Sequence, residues 1–239
     1  IRRVRNWAQT SPATRAREDV RREFGWAGEQ IVCLHAGNMG AKQGLEHIIE
    51  AARVAATEAP SLLFVLMGDG GARPALQAQA GALQNVRFLP LQPAEAVADV
   101  LAAADVLLVN QRGSVRDMAL PSKLTSYFAA GRPVVAAVAA GSETATETEW
   151  SGGGIVCAPD DPRALLVAIA RVTADAGLAA HLATSGRAYA RDVLSREAAL
   201  RGYEQLLAVV LAEGQGRVHL PVALRPAGHD GELEERWSA

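Results

Sequence analysis

Ile31-Val-Cys-Leu-His-Ala-Gly-Asn-Met-Gly-Ala-Lys-Gln-Gly44 decides the fold of this chain. Ile31 to His35 is a short β-like run, and Gly37-Asn-Met-Gly40 closes it. The apolar residues then change period: Leu45, Ile48, Ile49 and Ala52 fall on one face of a helix over 45–56. The same alternation continues outward. Leu62–Met67 reads as a strand closed by Gly68-Asp-Gly-Gly71, and 74–83 as a helix. Further strands are expected at 86–89, 105–109, 133–137 and 154–157, with helices at 95–104, 122–130 and 163–174. A leading helix at 15–24 and two late helices at 178–192 and 196–213 complete the pattern. Strands that alternate with helices at this spacing build a parallel sheet covered on both faces. The nearly continuous apolar strands agree, since such strands are buried on both sides. The expected fold is α/β, a Rossmann-like, doubly wound six-stranded parallel sheet in the order 3-2-1-4-5-6, with extra C-terminal helices.

The domain reading follows. Residues 1–29 are a basic linker remnant and leading helix, 30–177 the Rossmann-like domain, 178–213 the C-terminal helices and 214–239 a flexible, Gly-, Pro- and charge-rich tail. The 239 residues are 49% hydrophobic and 21% charged, enough for a substantial core, while 5% aromatics leave that core to Ala, Val and Leu. A net charge of −2 argues against a nucleic-acid surface. The longest apolar runs, such as Pro133 to Ala140, are too short to span a bilayer. Cys33 and Cys157 form no CxxC pair and read as buried, reduced thiols.

In a doubly wound sheet, ligands bind beyond the carboxyl ends of the strands. Four segments lie there: 37–44, 68–73, 90–93 and 110–123. Of the 24 basic residues only Lys42 and Lys123 are lysines, and both fall in these segments. A compact ammonium on a flexible stem suits a phosphate in a tight loop. Around Lys42, the Gly37 and Gly40 turn lets the backbone approach a ligand, and a helix start adds N–H groups and a positive dipole end. Leu120-Pro-Ser-Lys-Leu124 repeats that arrangement, with Pro121 at the first helical position and Ser122 adding a hydroxyl. The plain alternatives are an ordinary turn and an ordinary capped helix, each with a surface lysine.

Asp69, in Gly68-Asp69-Gly70, reads either as a ribose ligand or as a solvated turn residue. A dinucleotide cofactor would need G-x-G-x-x-G in the first turn, where this chain has G-x-x-G and a lysine. His35 reads first as a hydrogen-bonded core histidine. The other histidines are scattered without metal spacing, and no Asp-x-Asp or G-x-S-x-G occurs. Glu143, Glu147 and Glu149 read as a solvated helix face.

Taken in order, Gly37–Gly44, Met67-Gly-Asp-Gly70, Asn85–Pro90, Ala103–Val109, Leu120-Pro-Ser-Lys123, Gly131-Arg-Pro-Val-Val135, Ser151–Val156 and Asp160–Leu165 resemble one family. It is the C-terminal donor-binding domain of GT-B glycosyltransferases, family 4 or group 1, nearest to bacterial enzymes of colanic-acid and O-antigen synthesis. The resemblance covers about residues 30–175.

The resemblance implies a metal-independent, retaining hexosyltransferase of polysaccharide biosynthesis. Its donor is a nucleotide sugar, a UDP-sugar for preference, bound as substrate with no further cofactor. Gly40 and Lys42 would hold the diphosphate, with Lys42 stabilising the leaving group. Ser122, Lys123 and Leu124 would take the distal phosphate. Leu89 to Leu91 would meet the base, and the 116–120 loop, with Leu120, would face the sugar. Two family glutamates fall at Met118 and Ser126 here, so the ribose contact passes to an uncharged Ser126. The catalytic base is expected on an N-terminal acceptor domain for which this chain has no room; alone it would be an inactive fragment. The implied location is the cytoplasm or the inner membrane face, with a lipid-linked acceptor as one partner. Two other readings stay open: a sugar-nucleotide epimerase of GT-B-like fold, and a non-catalytic nucleotide-sugar-binding subunit.

Overall fold

The computed structural model describes residues 5, 7, 12–115 and 122–214. Its strands are β1 (Ile31–Ala36), β2 (Leu62–Met67), β3 (Val86–Leu89), β4 (Val106–Asn110), β5 (Val134–Ala137) and β6 (Gly154–Cys157). They pair in parallel in the order β3-β2-β1-β4-β5-β6, the order expected from the sequence.

The two-residue period of a strand sorts the core into two layers. On one face Val32, Leu34, Val65, Leu107, Val109 and Ala136 pack in one cluster. That cluster includes residues of α1 (Arg17–Glu23), α4 (Ala94–Ala103), α5 (Lys123–Ala130) and α6 (Glu143–Ser151). On the other, Cys33, Phe64, Leu66, Leu108 and Val135 join α2 (Glu46–Glu58), α3 (Arg73–Ala80) and α7 (Pro162–Ala174). α8 (Ala176–Asp192) contributes to both clusters. β1 therefore feeds a helix on one face and its neighbour β4 a helix on the other. The crevice between their carboxyl ends is the switch point where such sheets take ligands.

Two expectations need correction. Asp105 and Pro133 were expected as strand residues, but β4 and β5 begin one residue later. Asp105 instead turns its carboxylate to receive the Val32 amide at 2.8 Å, Arg21 Nη1 at 3.1 Å and the Arg17 guanidinium. Glu147 does not lie on a solvated face. It is buried, holds Arg5 at 2.7 Å and accepts the Tyr189 hydroxyl at 2.8 Å. A buried carboxylate is tolerable when it is paired and hydrogen-bonded in this way.

Helix ends follow local chemistry. Asp161 accepts from the amides of Arg163 and Ala164 at the start of α7, with Pro162 as first residue. Gly131 ends α5 in the left-handed region. Cys33 and Cys157 stand as free thiols on β1 and β6, which are not neighbours.

The chain divides into one unit of Arg5–Ala199 and a second made of residues 1–4 and 200–239. The described part of the second, 200–214, continues α9 (Arg196–Gly214). Exposed Leu200, Tyr203, Leu207, Val210 and Leu211 follow one another along it at helical spacing. The expected tail at 214–239 lies, beyond Gly214, outside the described residues. Among the described residues no single helix is long and apolar enough to cross a membrane.

Candidate functional site

The turns after β1 and β2 nest into each other. Gly37 N donates to Met67 O at 2.9 Å, Met39 N to Asp69 O at 2.7 Å and Ala72 N to Met39 O at 2.9 Å. Gly68 has φ 137°, and a Cβ on it would sit 2.0 Å from Gly37 O. Only glycine permits that approach. The Asp69 side chain is exposed and caps its own turn, accepting from Gly70 N at 2.8 Å.

A 3₁₀ turn, Ala41–Gln43, is interposed before α2, so Lys42 sits on this turn and not directly on the helix start. The turn is clamped from the segment after β4. Buried Asn110 donates through Nδ2 to Gln43 O at 2.6 Å and Gly44 O at 2.8 Å. Arg112 donates from its amide to Lys42 O at 3.0 Å and from Nε to Ala41 O at 2.7 Å, and its guanidinium pairs with Glu46. Apart from the Arg112–Glu46 pair, these bonds hold the backbone carbonyls of residues 41–44. The Lys42 side chain is exposed, and among the described residues none engages its ammonium.

Lys123, at the start of α5, is placed differently. Its Nζ lies 3.5 Å from His35 Nε2 and beneath the Gly37 turn, 3.7 Å from where a Gly37 Cβ would stand. Among the described residues no carboxylate pairs with it. Burial pulls its pKa down to about 8. One helical turn further, the Tyr127 hydroxyl accepts from Ala36 N at 2.7 Å and donates to Ala36 O at 3.2 Å. Residues 123 and 127 share a helix face, so α5 is fastened to the end of β1 at two successive levels. His35 is fully buried, with Nδ1 3.2 Å from Leu108 O. Burial first, and then the Lys123 cation, hold its pKa well below the ordinary value, against the pull of the Leu108 and Asn38 backbone.

The remaining expected site residues do not all converge on this crevice. Ser122 is exposed at the head of α5 with no side-chain cap bond, and Leu124 is buried in the core beneath it. Leu91 is 68% exposed beyond β3. The Leu89 carbonyl already accepts from Gly68 N at 3.1 Å and Arg73 Nη1 at 3.2 Å. Ser126 lines a groove of about 390 Å³ between α4 and α5, beside Val97, Leu101 and Arg132. Leu120, Pro121, Met118 and the 116–120 loop lie outside the described residues. Sequence reasoning missed Asn110, Arg112 and Arg73 and gave His35 no partner. The one signal was polar Asn110 closing an apolar strand.

The clamped glycine turn, the start of α5 and both lysines of the sequence lie at the switch point of a Rossmann-like sheet. Residues 30–175 match the family described as Glycosyl transferases group 1, and the chain belongs to that family. Over 187 residues it is 34% identical to WcaI of Escherichia coli (strain K12), which is named as a colanic acid biosynthesis glycosyl transferase. That alignment takes in 77% of this chain and 44% of WcaI. The chain thus spans less than half the length of this curated relative. Among solved structures, the HepE protein of Anabaena in complex with UDP superimposes with a TM-score of 0.66 at 19% identity, over 82% of this chain and 52% of that one. The C-terminal domain of the group 1 glycosyl transferase LpcC from Francisella tularensis matches over 75% of this chain and 93% of its own, with a TM-score of 0.60 at 17% identity. The fold is therefore the C-terminal half of a GT-B glycosyltransferase, with added C-terminal helices.

Proposed function

We propose that this chain is the donor-binding half of a retaining glycosyltransferase of glycan biosynthesis, and that the crevice between β1 and β4 holds the diphosphate of a UDP-sugar. The observation that carries the reading is the placement of the only two lysines of the sequence on facing sides of the switch point, neither paired with a described carboxylate. Lys123, partly buried and without an anionic partner among the described residues, is costly to keep charged unless a ligand supplies the anion. The names of the relatives support the class of donor, since HepE is described in complex with UDP.

In this reading Lys123 and the first amides of α5 take the distal phosphate, and Lys42 with the Gly40 turn takes the other. Cations and amides fixed in place before reaction stabilise charge that develops on the departing diphosphate. Leu89 to Leu91 border the base, and Ser126 stands where the ribose would be read. The acceptor and the catalytic base belong to a facing N-terminal domain, with a lipid-linked acceptor at the inner membrane face as one partner in this reading. The chain alone would then bind donor and transfer nothing, because positioning of the acceptor is missing. The epimerase reading is less well supported: His35, on which it would depend, is fully buried and engaged on both ring nitrogens.

A thermal-shift panel of UDP, GDP, ADP and their sugars tests the proposal. UDP and UDP-sugars should raise the melting temperature most. No shift with any nucleoside diphosphate would remove the donor site from this edge. Transfer by the chain alone would place the acceptor site within these residues.

A further inference from the structure

His35 is a buried titratable group at this edge that the proposed chemistry leaves without a task. Its surroundings fix its protonation. The Leu108 carbonyl, 3.2 Å from Nδ1, can only accept, so Nδ1 carries the hydrogen. The ring is fully buried, and a second charge beside the Lys123 ammonium would repel it. With the Nδ1 hydrogen on Leu108, Nε2 is left with its lone pair, and Lys123 Nζ, an obligate donor, lies 3.5 Å from it, while the Asn38 backbone also approaches the ring. No described carboxylate competes for that ammonium. The four-carbon stem of a lysine is otherwise free to swing among rotamers. A neutral acceptor orients the ammonium without cancelling its charge, which a carboxylate in the same place would do.

We propose that His35 is a positioning residue: its unprotonated Nε2 accepts a hydrogen bond from Lys123 Nζ and holds that ammonium beneath the Gly37 turn, charged and aimed for the donor's diphosphate. The inference rests on the phosphate reading of this edge and adds the residue that makes one of its two lysines rigid.

Two isosteric replacements separate this role from a structural one. Asn in place of His35 keeps a donor near the Nδ1 position, for Leu108, and loses the acceptor for Lys123. Gln reaches the Nε2 position and keeps that acceptor. His35→Asn should weaken UDP binding about tenfold or more, the scale of a hydrogen bond to a charged group, and leave uridine binding unchanged. His35→Gln should recover UDP affinity to within about threefold of the unaltered chain. The reverse ranking would mean that the Leu108 bond is what matters and would overturn the proposal.

The unaltered protein provides a measurement that needs no variant. Labelled histidine should show the His35 ring neutral at pH 7 with its hydrogen on Nδ1; a hydrogen on Nε2 would exclude the acceptor role. Labelled lysine gives two signals only. Addition of UDP should move the Lys123 signal, and His35→Asn should move it in the free protein. If His35→Asn moves it but Lys123→Ala binds UDP normally, the pair exists and the phosphate reading fails. If Lys123→Ala loses UDP and His35→Asn does not, the phosphate reading stands and the positioning role fails.

Discussion

The two lysines of this chain stand on the same sheet edge in opposite surroundings. Lys42 is exposed on a short 3₁₀ turn, and everything that fixes it acts on backbone: Asn110 and Arg112 hold the carbonyls of residues 41–44. Lys123 is largely enclosed, and what fixes it is its own side chain, through His35 and the Gly37 turn. The difference teaches how one residue type serves two purposes. An exposed ammonium is screened by water and salt and contributes little at fixed geometry. An enclosed one interacts more strongly with an incoming anion, at the cost of desolvation before the anion arrives.

The largest effect should therefore come from Lys123. Lys123→Ala is expected to weaken UDP binding by about 2–3 kcal/mol and to leave uridine unaffected, as calorimetry will show. Lys42→Ala should cost about 1 kcal/mol. Equal losses would erase the contrast between the two sites.

Asn110→Ala sharpens the comparison from the other side. It leaves the Gln43 and Gly44 carbonyls without their donor, so denaturant unfolding should report a loss of about 1–3 kcal/mol. In that background Lys42→Ala should cost less UDP affinity than in the native chain, because the turn is already loosened. Lys123→Ala should cost the same in both backgrounds.

Much of this was legible in the residues. Alternating periods gave six strands in their observed order, and the scarcity of lysine singled out 42 and 123. What stayed hidden were contacts made by side chains distant in sequence. Asp105 looks like a strand residue until Arg17, Arg21 and the Val32 amide gather round it. Glu147 looks like solvated surface until Arg5 and Tyr189 meet it. His35 and Lys123 are 88 positions apart, and no local pattern pairs them. The 3₁₀ turn at 41–43 was unreadable for a different reason: a glycine-bounded tripeptide carries no period.

The pH response should distinguish the lysines further. The enclosed Lys123 has its pKa pulled down to about 8 by burial, from an ordinary 10.5. If the proposed site binds UDP through this ammonium, affinity should fall as pH rises through about 8, and the fall should vanish in Lys123→Ala. Stability should move the other way. Between about pH 8 and 10.5 the unfolded chain binds the proton that the folded chain has released, so this group makes the free fold more stable as pH rises across that window. A flat affinity profile across pH 8 would contradict the enclosed setting of Lys123.

The smallest effect is expected at Ser126. The groove it lines with Val97 and Leu101 also holds Arg132 and Arg187, so a carboxylate introduced there would meet the protein's own cations. Ser126→Glu should leave UDP affinity unchanged or weaken it by less than about 1 kcal/mol. Tighter binding would show that ribose is read here by charge.

The central claim is that the edge between β1 and β4 recognises a nucleoside diphosphate through its phosphates. Calorimetry of the unaltered chain with UDP and with uridine, in one low-salt buffer at pH 7, tests it most directly. The account predicts that UDP binds about a hundredfold tighter than uridine or more, the sum of two cationic contacts. Equal affinity for the two, or no measurable binding of UDP, would contradict it.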